Sequence, residues 1–199
     1  MPSHQIDVPA LPVLLPLGVL LMIVFGVLLH RRGLLTTRRL LVGWGAGWYA
    51  VAVLGATMLP MHLAWGAGVD GPDLYRLILV PVLEMRPLDF VLNTLMTMPL
   101  ATVLHLVFGV RRESRVVLAG LLLSLAIEST QLILLFTLDG NRWADVNDLL
   151  SNTLGAWLGY LLLRRFMRSG HFRRVVESCS FGRNDRKDRN GRGTPSVVR

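Results

Sequence analysis

Polar and ionisable side chains recur at helical spacing inside three otherwise apolar stretches of the sequence. They are Asn93 in the first stretch, Ser124, Glu128 and Gln131 in the second, and Asp145, Asp148 and Asn152 around the third. At 100° per residue, the members of the second and third groups each keep to one face of a helix. A charged group facing lipid is costly, so such residues mark either buried structural pairs or a functional site. We therefore expect these polar faces to meet.

Two interpretations of this polar set are open. In the structural one, Glu128 and the amides form a hydrogen-bonded network between helices, each bond worth about 0.6 kcal/mol on average. In the functional one, the same groups line an outward-open pocket for a polar headgroup or a cation. Glu128 would then be a buried anion or proton carrier, and Arg142 would hold a phosphate or carboxylate bidentately. A carboxylate deep in a membrane requires a partner or a proton, which favours the functional interpretation.

The residue types that usually bind metals do not occur at metal-binding spacing. There is no HExxH, CxxC or paired-histidine motif, so we expect no metal and no cofactor. One alternative is an enzyme acting on a lipid phosphate, in which Asp145, Asp148 and Glu128 hold a divalent cation through oxygen ligands. The absence of a strong nucleophile–base pair argues against catalysis. A third alternative is a purely structural partner of another membrane protein.

The elements that must position these residues are membrane helices. The chain has 199 residues, of which 52% are hydrophobic, and its mean hydropathy is +0.50. About 20 apolar residues are needed to cross the hydrocarbon core. Blocks of this kind predict an all-α, polytopic membrane helical bundle with five spans, at 8–29, 40–61, 90–110, 116–136 and 149–166. In the last span, Gly155 and Gly159 form a small-xxx-small face for close helix packing.

The distribution of positive charge predicts the orientation of the bundle. Eighteen of the 21 Lys and Arg residues fall on the side that holds the carboxyl terminus, which places this side in the cytoplasm and the amino terminus outside. The net charge of +8 therefore reflects topology, and we expect no nucleic-acid partner. Residues 8–166 form the predicted transmembrane domain. Residues 167–199 form a basic, disordered cytoplasmic tail that attracts anionic membrane lipid.

The carboxy-terminal half resembles the VanZ-like family of membrane proteins. That family's pattern has a Glu and a Gln three apart, an Arg before Asp-x-x-Asp, and then Asn-Thr-x-Gly with a second Gly. The matching residues here are Glu128, Gln131, Arg142, Asp145, Asp148, Asn152, Thr153, Gly155 and Gly159. Upstream, Asn93, Pro99 and Leu100 are similar to the family's Asn-x5-Pro-Leu segment. The resemblance covers about residues 51–165.

The resemblance implies a multi-pass cell-membrane protein of the bacterial envelope. The family is named for a member linked to low-level resistance to the glycopeptide teicoplanin. We expect this protein to bind or shield a lipid-linked or lipophilic ligand near the outer leaflet, such as a cell-wall precursor or the glycopeptide itself. This leading hypothesis is non-enzymatic. Five spans are few for a transporter working alone, which leaves a homo-oligomer open.

Overall fold

The computed structural model describes residues 4–66, 74–82, 85–141 and 143–182. Most of these residues are helical. The α-helices are α1 (Ala10–Arg31), α2 (Thr37–Met58), α3 (Pro87–Thr97), α4 (Pro99–Phe108), α5 (Glu113–Leu138), α6 (Val146–Phe166) and α7 (Gly170–Cys179). The strands are β1 (His4–Val8), β2 (Met61–Trp65), β3 (Leu77–Ile78) and β4 (Ala144–Asp145). The predicted helical-bundle class is confirmed.

Four helical segments of the described chain are long and apolar enough to cross a membrane. They are α1, α2, the broken helix formed by α3 and α4, and α5. These correspond to the first four predicted spans. The predicted fifth span corresponds to α6, which has 21 residues and the necessary length but carries more polar residues than the others. The orientation of the bundle and its passage through the membrane at five points remain predictions.

Helix α6 packs against α5, α3 and α4, and this group positions the polar residues. Small residues allow the helices to approach closely. Ala156 on α6 is fully buried beside Ala101 and Val116. Gly155 lies against the backbone of α3, and Gly159 lies against the carbonyl group of Met98, where α3 ends. The polar side chains of α5 and α6 are therefore held at short, fixed distances from α3.

A helix break divides the third span into α3 and α4. Pro99 lacks a backbone N–H and cannot continue the helical hydrogen-bond ladder, so α3 ends at Thr97 and α4 begins at Pro99. The hydroxyl of Tyr49 on α2 donates to the carbonyl oxygen of Met96 at 3.1 Å. Near Met96, the backbone thus has a side-chain partner from the neighbouring helix.

Two small sheets lie near the amino end of α6. Strands β1 and β2 pair antiparallel, with His4 opposite Trp65 and Val8 opposite Met61. Strands β3 and β4 pair parallel, with Ile78 opposite Asp145. β4 leads directly into α6, so the second pair fixes where that helix begins. These short strands were not predicted.

The segment after α6 differs from the disordered tail predicted from composition. It contains α7, in which Val176 is buried, and the backbone N–H of Phe181 donates to the carbonyl oxygen of Leu106 at 2.8 Å. The prediction of disorder is therefore wrong for residues 170–182. Apolar side chains at helical spacing give this segment a face that packs on the bundle, despite its many arginines. The rest of the predicted tail, 183–199, lies outside the described residues.

Candidate functional site

A hydrogen-bonded network joins α3, α5 and α6 through the predicted polar residues. Asn93 on α3 donates from Nδ2 to Oδ1 of Asp148 at 2.6 Å. Ser124 on α5 donates to the backbone carbonyl oxygen of Asp148 at 3.1 Å, and Asn152 donates from Nδ2 to Oγ of Ser124 at 3.0 Å. Both Ser124 and Asn152 are buried. The sequence prediction that these faces meet agrees with this geometry.

The carboxylate of Glu128 lies at the amino end of α6. Its Oε2 accepts the backbone N–H of Asp145, the N-cap residue of α6, at 2.8 Å. Glu128 is 8% exposed. The positive end of the helix dipole and the N–H donor offset part of the cost of burying a negative charge at this position. Glu128 thus positions the first turn of α6.

Asp145 caps α6 with its own side chain. Its Oδ1 accepts the backbone N–H of Asn147 at 2.7 Å and the side-chain amide of Asn147 at 2.8 Å. The Oδ1 of Asn147 in turn accepts the backbone N–H of Val82 at 2.9 Å. An aspartate at this position typically stabilises a helix by about 1 kcal/mol. Asp145 therefore supports the fold of the site.

Two of the predicted residues, Asn93 and Gln131, line a cavity of about 660 Å³. Gln131 is held in place because its Nε2 donates to the carbonyl oxygen of Thr57 at 2.8 Å. The remaining lining residues come from α2, from α3 with the residue before it, and from the α5–α6 loop: Ala56, Thr57, Arg86, Asp89, Leu92, Met96, Asn141 and Trp143. A volume of this size falls in the range of small-molecule sites.

Arg86 and Trp143 form a cationic and aromatic wall of this cavity. The guanidinium carbon of Arg86 lies 4.7 Å from the centre of a Trp143 ring. The Nε of Arg86 pairs with Oδ2 of Asp89 at 3.1 Å. A guanidinium has five N–H donors in all, and this ion pair uses the one on Nε. Arg86 can therefore bind an anion while the tryptophan and the aspartate hold its position.

Glu128 and Asp145 line a different cavity. This second cavity, of about 220 Å³, is enclosed mostly by apolar residues such as Ile78 and Leu132. Glu128 and Gln131 are neighbours on α5, yet the two side chains line different cavities. The helices thus bring the predicted polar residues together, but Asn93 and Gln131 line the large polar cavity, whereas Glu128 and Asp145 line the smaller one.

Three buried side-chain oxygens have no hydrogen-bond donor among the described residues: Oε1 of Glu128, Oε1 of Gln131 and Oδ1 of Asn152. An unpaired buried acceptor costs about 1–3 kcal/mol. The three atoms all belong to residues singled out from the sequence. Arg142, the predicted anion-binding residue, lies outside the described residues.

The three carboxylates proposed to hold a divalent cation have separate partners. Glu128 accepts the Asp145 N–H, Asp145 caps α6, and Asp148 accepts from Asn93. Within the part of the chain that the structure describes, no group of three or more His, Cys, Asp or Glu residues could hold a metal ion. This arrangement gives the proposed divalent-cation site no geometric support among the described residues.

A third cavity, called the apolar cavity below, lies next to the polar one along α2. It has a volume of about 310 Å³ and is lined by Ala50 and Val53 of α2 and by Val103 of α4, among other apolar residues. The polar cavity is lined by Thr57, one turn further along α2. Tyr49 lines the apolar cavity, and its hydroxyl bonds to residue 96, whose side chain lines the polar one. The two cavities are therefore adjacent.

Sequence reasoning did not identify Arg86, Asp89 or Trp143 as site residues. A local signal existed for two of them, since Pro87 at the first helical position and Asp89 in the first turn mark the start of a helix. No local signal connects residue 86 with residue 143, because α3, α4 and α5 and the loops between them separate the two residues in the chain. Their contact depends on the tertiary fold.

Comparison with known proteins identifies the family. The family model described as VanZ/LLP1 matches residues 46–168, which is more than half of the chain and includes every predicted site residue. A search of curated proteins and a search of solved structures each found no match. The suspected family is confirmed, and the chain belongs to the VanZ-like family of membrane-type proteins.

Proposed function

We propose that this protein binds a lipid-linked ligand, with the ligand's phosphate in the polar cavity and part of its hydrocarbon chain in the adjacent apolar cavity. The observation that carries the proposal is the convergence of Arg86, Trp143, Asn93 and Gln131 on one cavity of about 660 Å³ in a helical membrane-type fold. Such a cavity would hold a lipid headgroup without reacting with it, so the proposed function is binding and not catalysis.

The chemistry of the polar cavity suits a phosphate carrying further polar groups. A guanidinium can bind phosphate oxygens through two N–H groups at once. The amides of Asn93 and Gln131 offer both donors and acceptors, which would suit sugar hydroxyls or peptide groups. The Trp143 ring lies beside the guanidinium of Arg86 and keeps it at the cavity wall. These groups together favour a phosphate-linked glycan or peptide headgroup.

The apolar cavity supports a ligand with a hydrocarbon chain. Its lining is almost entirely apolar and includes Leu21, Phe25, Val53, Leu100 and Val103. A lipid chain that moved from the bilayer into this cavity would pass from one hydrocarbon environment to another, so there would be little hydrophobic driving force for its binding. The cavity would instead contribute packing contacts and fix the position of the chain. An amphiphile could occupy both cavities at once because they adjoin along α2.

This binding suggests a role at the bacterial cell envelope. A protein that holds a lipid-linked cell-wall precursor would change how much of it a lipophilic glycopeptide can reach. Susceptibility to teicoplanin would then depend on the same residues. With the predicted orientation, the polar cavity would face the outer leaflet, where such precursors are used.

The test compares two arginine variants in nanodiscs. The probe is a fluorescent polyprenyl phosphate, and its dissociation constant is measured for the wild type, Arg86→Gln and Arg112→Gln. Arg112 is exposed and lies just before α5, so it serves as a matched loss of charge away from both cavities. A lost charge-assisted hydrogen bond is worth about 1.5–3 kcal/mol, so Arg86→Gln should weaken binding by about 10- to 100-fold. The control should bind within about twofold of the wild type.

Two results would contradict the proposal. Equal affinities for the wild type and Arg86→Gln, with both variants folded by size-exclusion chromatography, would show that the cavity does not hold the phosphate. Release of phosphate from the probe by the wild-type protein with Mg²⁺ would show instead that the protein is an enzyme.

A further inference from the structure

A second candidate site lies at the opposite end of the bundle, between α2 and α7. The residues at the carboxyl end of α7 are tied to three other helices. Arg39 at the start of α2 donates from Nε to the carbonyl oxygen of Ser180 at 3.0 Å. Phe181 bonds to α4 through its backbone, and its ring lies 6.3 Å from the ring of Phe25 on α1. Helix α7 therefore has a fixed place on the bundle.

The depth of these contacts places α7 at the membrane interface. Phe25 lies six residues before Arg31, where α1 ends, and six residues of helix rise about 9 Å. The residue that contacts Phe25, Phe181 just after α7, therefore lies beside the apolar part of α1, whereas α7 itself contains arginines near its start. Its Phe172 ring packs 5.4 Å from that of Phe166, near the end of α6. An amphipathic helix held in this way lies where lipid headgroups are found.

One face of α7 and the start of α2 line an open basic pocket of about 270 Å³. It is lined by Arg38 of α2 and by His171, Arg174, Val175 and Ser178 of α7. The four α7 residues follow helical spacing and so share one face. Arg38 is fixed by a hydrogen bond from Nη1 to Oγ of Ser178 at 3.2 Å. Arg174 donates from Nε to the carbonyl oxygen of Gly170 at 3.3 Å, so each of the two guanidinium groups that line the pocket has a hydrogen bond to α7.

The charge of this pocket is not balanced from within. Its lining holds two arginines and a histidine, and no carboxylate is among the described residues that line it. The acid nearest along α7, Glu177, pairs with Arg173, which lies outside the lining. Val175 lines the pocket and is 47% exposed, so an apolar group beside the cations is also accessible. Cations next to an exposed apolar side chain match an anion attached to a hydrocarbon chain.

We infer that this pocket binds the phosphate of an anionic membrane lipid, with Arg38 and Arg174 contacting its oxygens. The inference does not rest on the ligand proposed above, because the two sites share no residue. Arginine suits phosphate because its N–H groups match the oxygen geometry. Basic residues next to a membrane are also attracted to its anionic surface by about 1 kcal/mol each, which holds them beside lipid phosphates. Lipid bound here would fasten α7 to the membrane.

The test measures lipid retention by the full-length protein in detergent with native mass spectrometry. Dioleoylphosphatidylglycerol and dioleoylphosphatidylcholine are added in turn to the wild type, to Arg38→Gln/Arg174→Gln and to Arg32→Gln/Arg168→Gln. The control Arg32→Gln/Arg168→Gln removes the same amount of positive charge from two exposed positions at the same end of the bundle. The wild type and this control should retain the anionic lipid preferentially. In Arg38→Gln/Arg174→Gln, the retention of dioleoylphosphatidylglycerol should fall by about tenfold or more.

Three outcomes would overturn the inference. Equal losses in both double variants would mean that the attraction is general surface charge. Equal retention of the two lipids by the wild type would mean that the pocket has no preference for an anionic headgroup. Displacement of the lipid by millimolar inorganic phosphate would assign the pocket to free phosphate. Because Arg86 is unchanged in every variant, binding of the polyprenyl phosphate probe reports separately on the proposed function.

Discussion

Replacement of Gly159 by alanine should disrupt the packing that positions the site. A Cβ atom at this position would lie within 3.0 Å of the carbonyl oxygen, the carbonyl carbon and the Cα of Met98. The atoms it would meet belong to backbone, so no side-chain rotation can relieve the overlap. Helix α6 would have to move away from the break between α3 and α4.

The expected magnitude can be worked from two opposing terms. Overpacking by one carbon in a closely packed contact costs about 1–3 kcal/mol, and a rigid backbone neighbour favours the upper part of that range. Alanine is a better helix former than glycine by up to about 1 kcal/mol, which offsets part of the cost. We therefore expect Gly159→Ala to lower the free energy of unfolding by about 2 kcal/mol.

Gly45 provides a matched control within α2. A Cβ atom there would have no neighbouring atom within 4 Å, so Gly45→Ala should gain the helix-propensity term without a steric cost. The two variants should differ by about 3 kcal/mol, which for a chain of this size corresponds to about 6–12 °C in Tm. Melting in detergent, followed by the monodisperse fraction in size-exclusion chromatography, measures this difference. Equal Tm values for the two alanine variants would refute the close helix contact.

Two further predictions concern the polar network. Glu128→Leu should lower the free energy of unfolding by about 1–3 kcal/mol because it leaves the Asp145 N–H without its acceptor, whereas Glu128→Gln keeps an acceptor oxygen and should lose less. Thermal melting compares the pair, and equal losses would show that the charge matters more than the hydrogen bond. Asn93→Leu should cost about 0.6–1.7 kcal/mol by removing the bond to Asp148. An unchanged melting temperature for this variant would argue against that bond.

The helical bundle was predictable because membrane-spanning helices have a distinctive apolar composition. A helix that crosses hydrocarbon needs about 20 apolar residues, and the first four predicted spans satisfy that requirement in the structure. The break at Pro99 was not predicted, although proline is the usual cause of such a break. A proline can kink a membrane helix or end one, and the choice depends on which groups of the neighbouring helices bond to the freed backbone.

The tail shows the limit of composition as a guide. Arginine, glycine and serine dominate the sequence after α6 and are typical of disorder. The helix α7 forms because Phe172, Val176 and Cys179 recur at intervals of three and four residues and face the bundle. A pattern that covers ten residues has little weight beside the composition of the whole tail. The amphipathic spacing, not the average polarity, was the relevant signal.

Within the site, periodicity identified which residues lie on one face but not which cavity they would line. Glu128 and Gln131 are separated by about 60° around α5, yet Gln131 lines the polar cavity and Glu128 lines the cavity of about 220 Å³. The residues that complete the polar cavity come from a loop and from the start of α3. Their positions depend on how α3 packs on α6, which no local pattern in the sequence records.

The position of Glu128 changes how a loss of function at this residue should be interpreted. The sequence makes it the most prominent candidate, since a carboxylate in a membrane helix is costly. In the structure that carboxylate is used, because it holds the N–H of the residue that caps α6. A variant that loses both the carboxylate and activity could have displaced the first turn of α6, and with it the loop that carries Trp143. Arg86 is the better probe of ligand contact, because it lines the cavity and is half exposed.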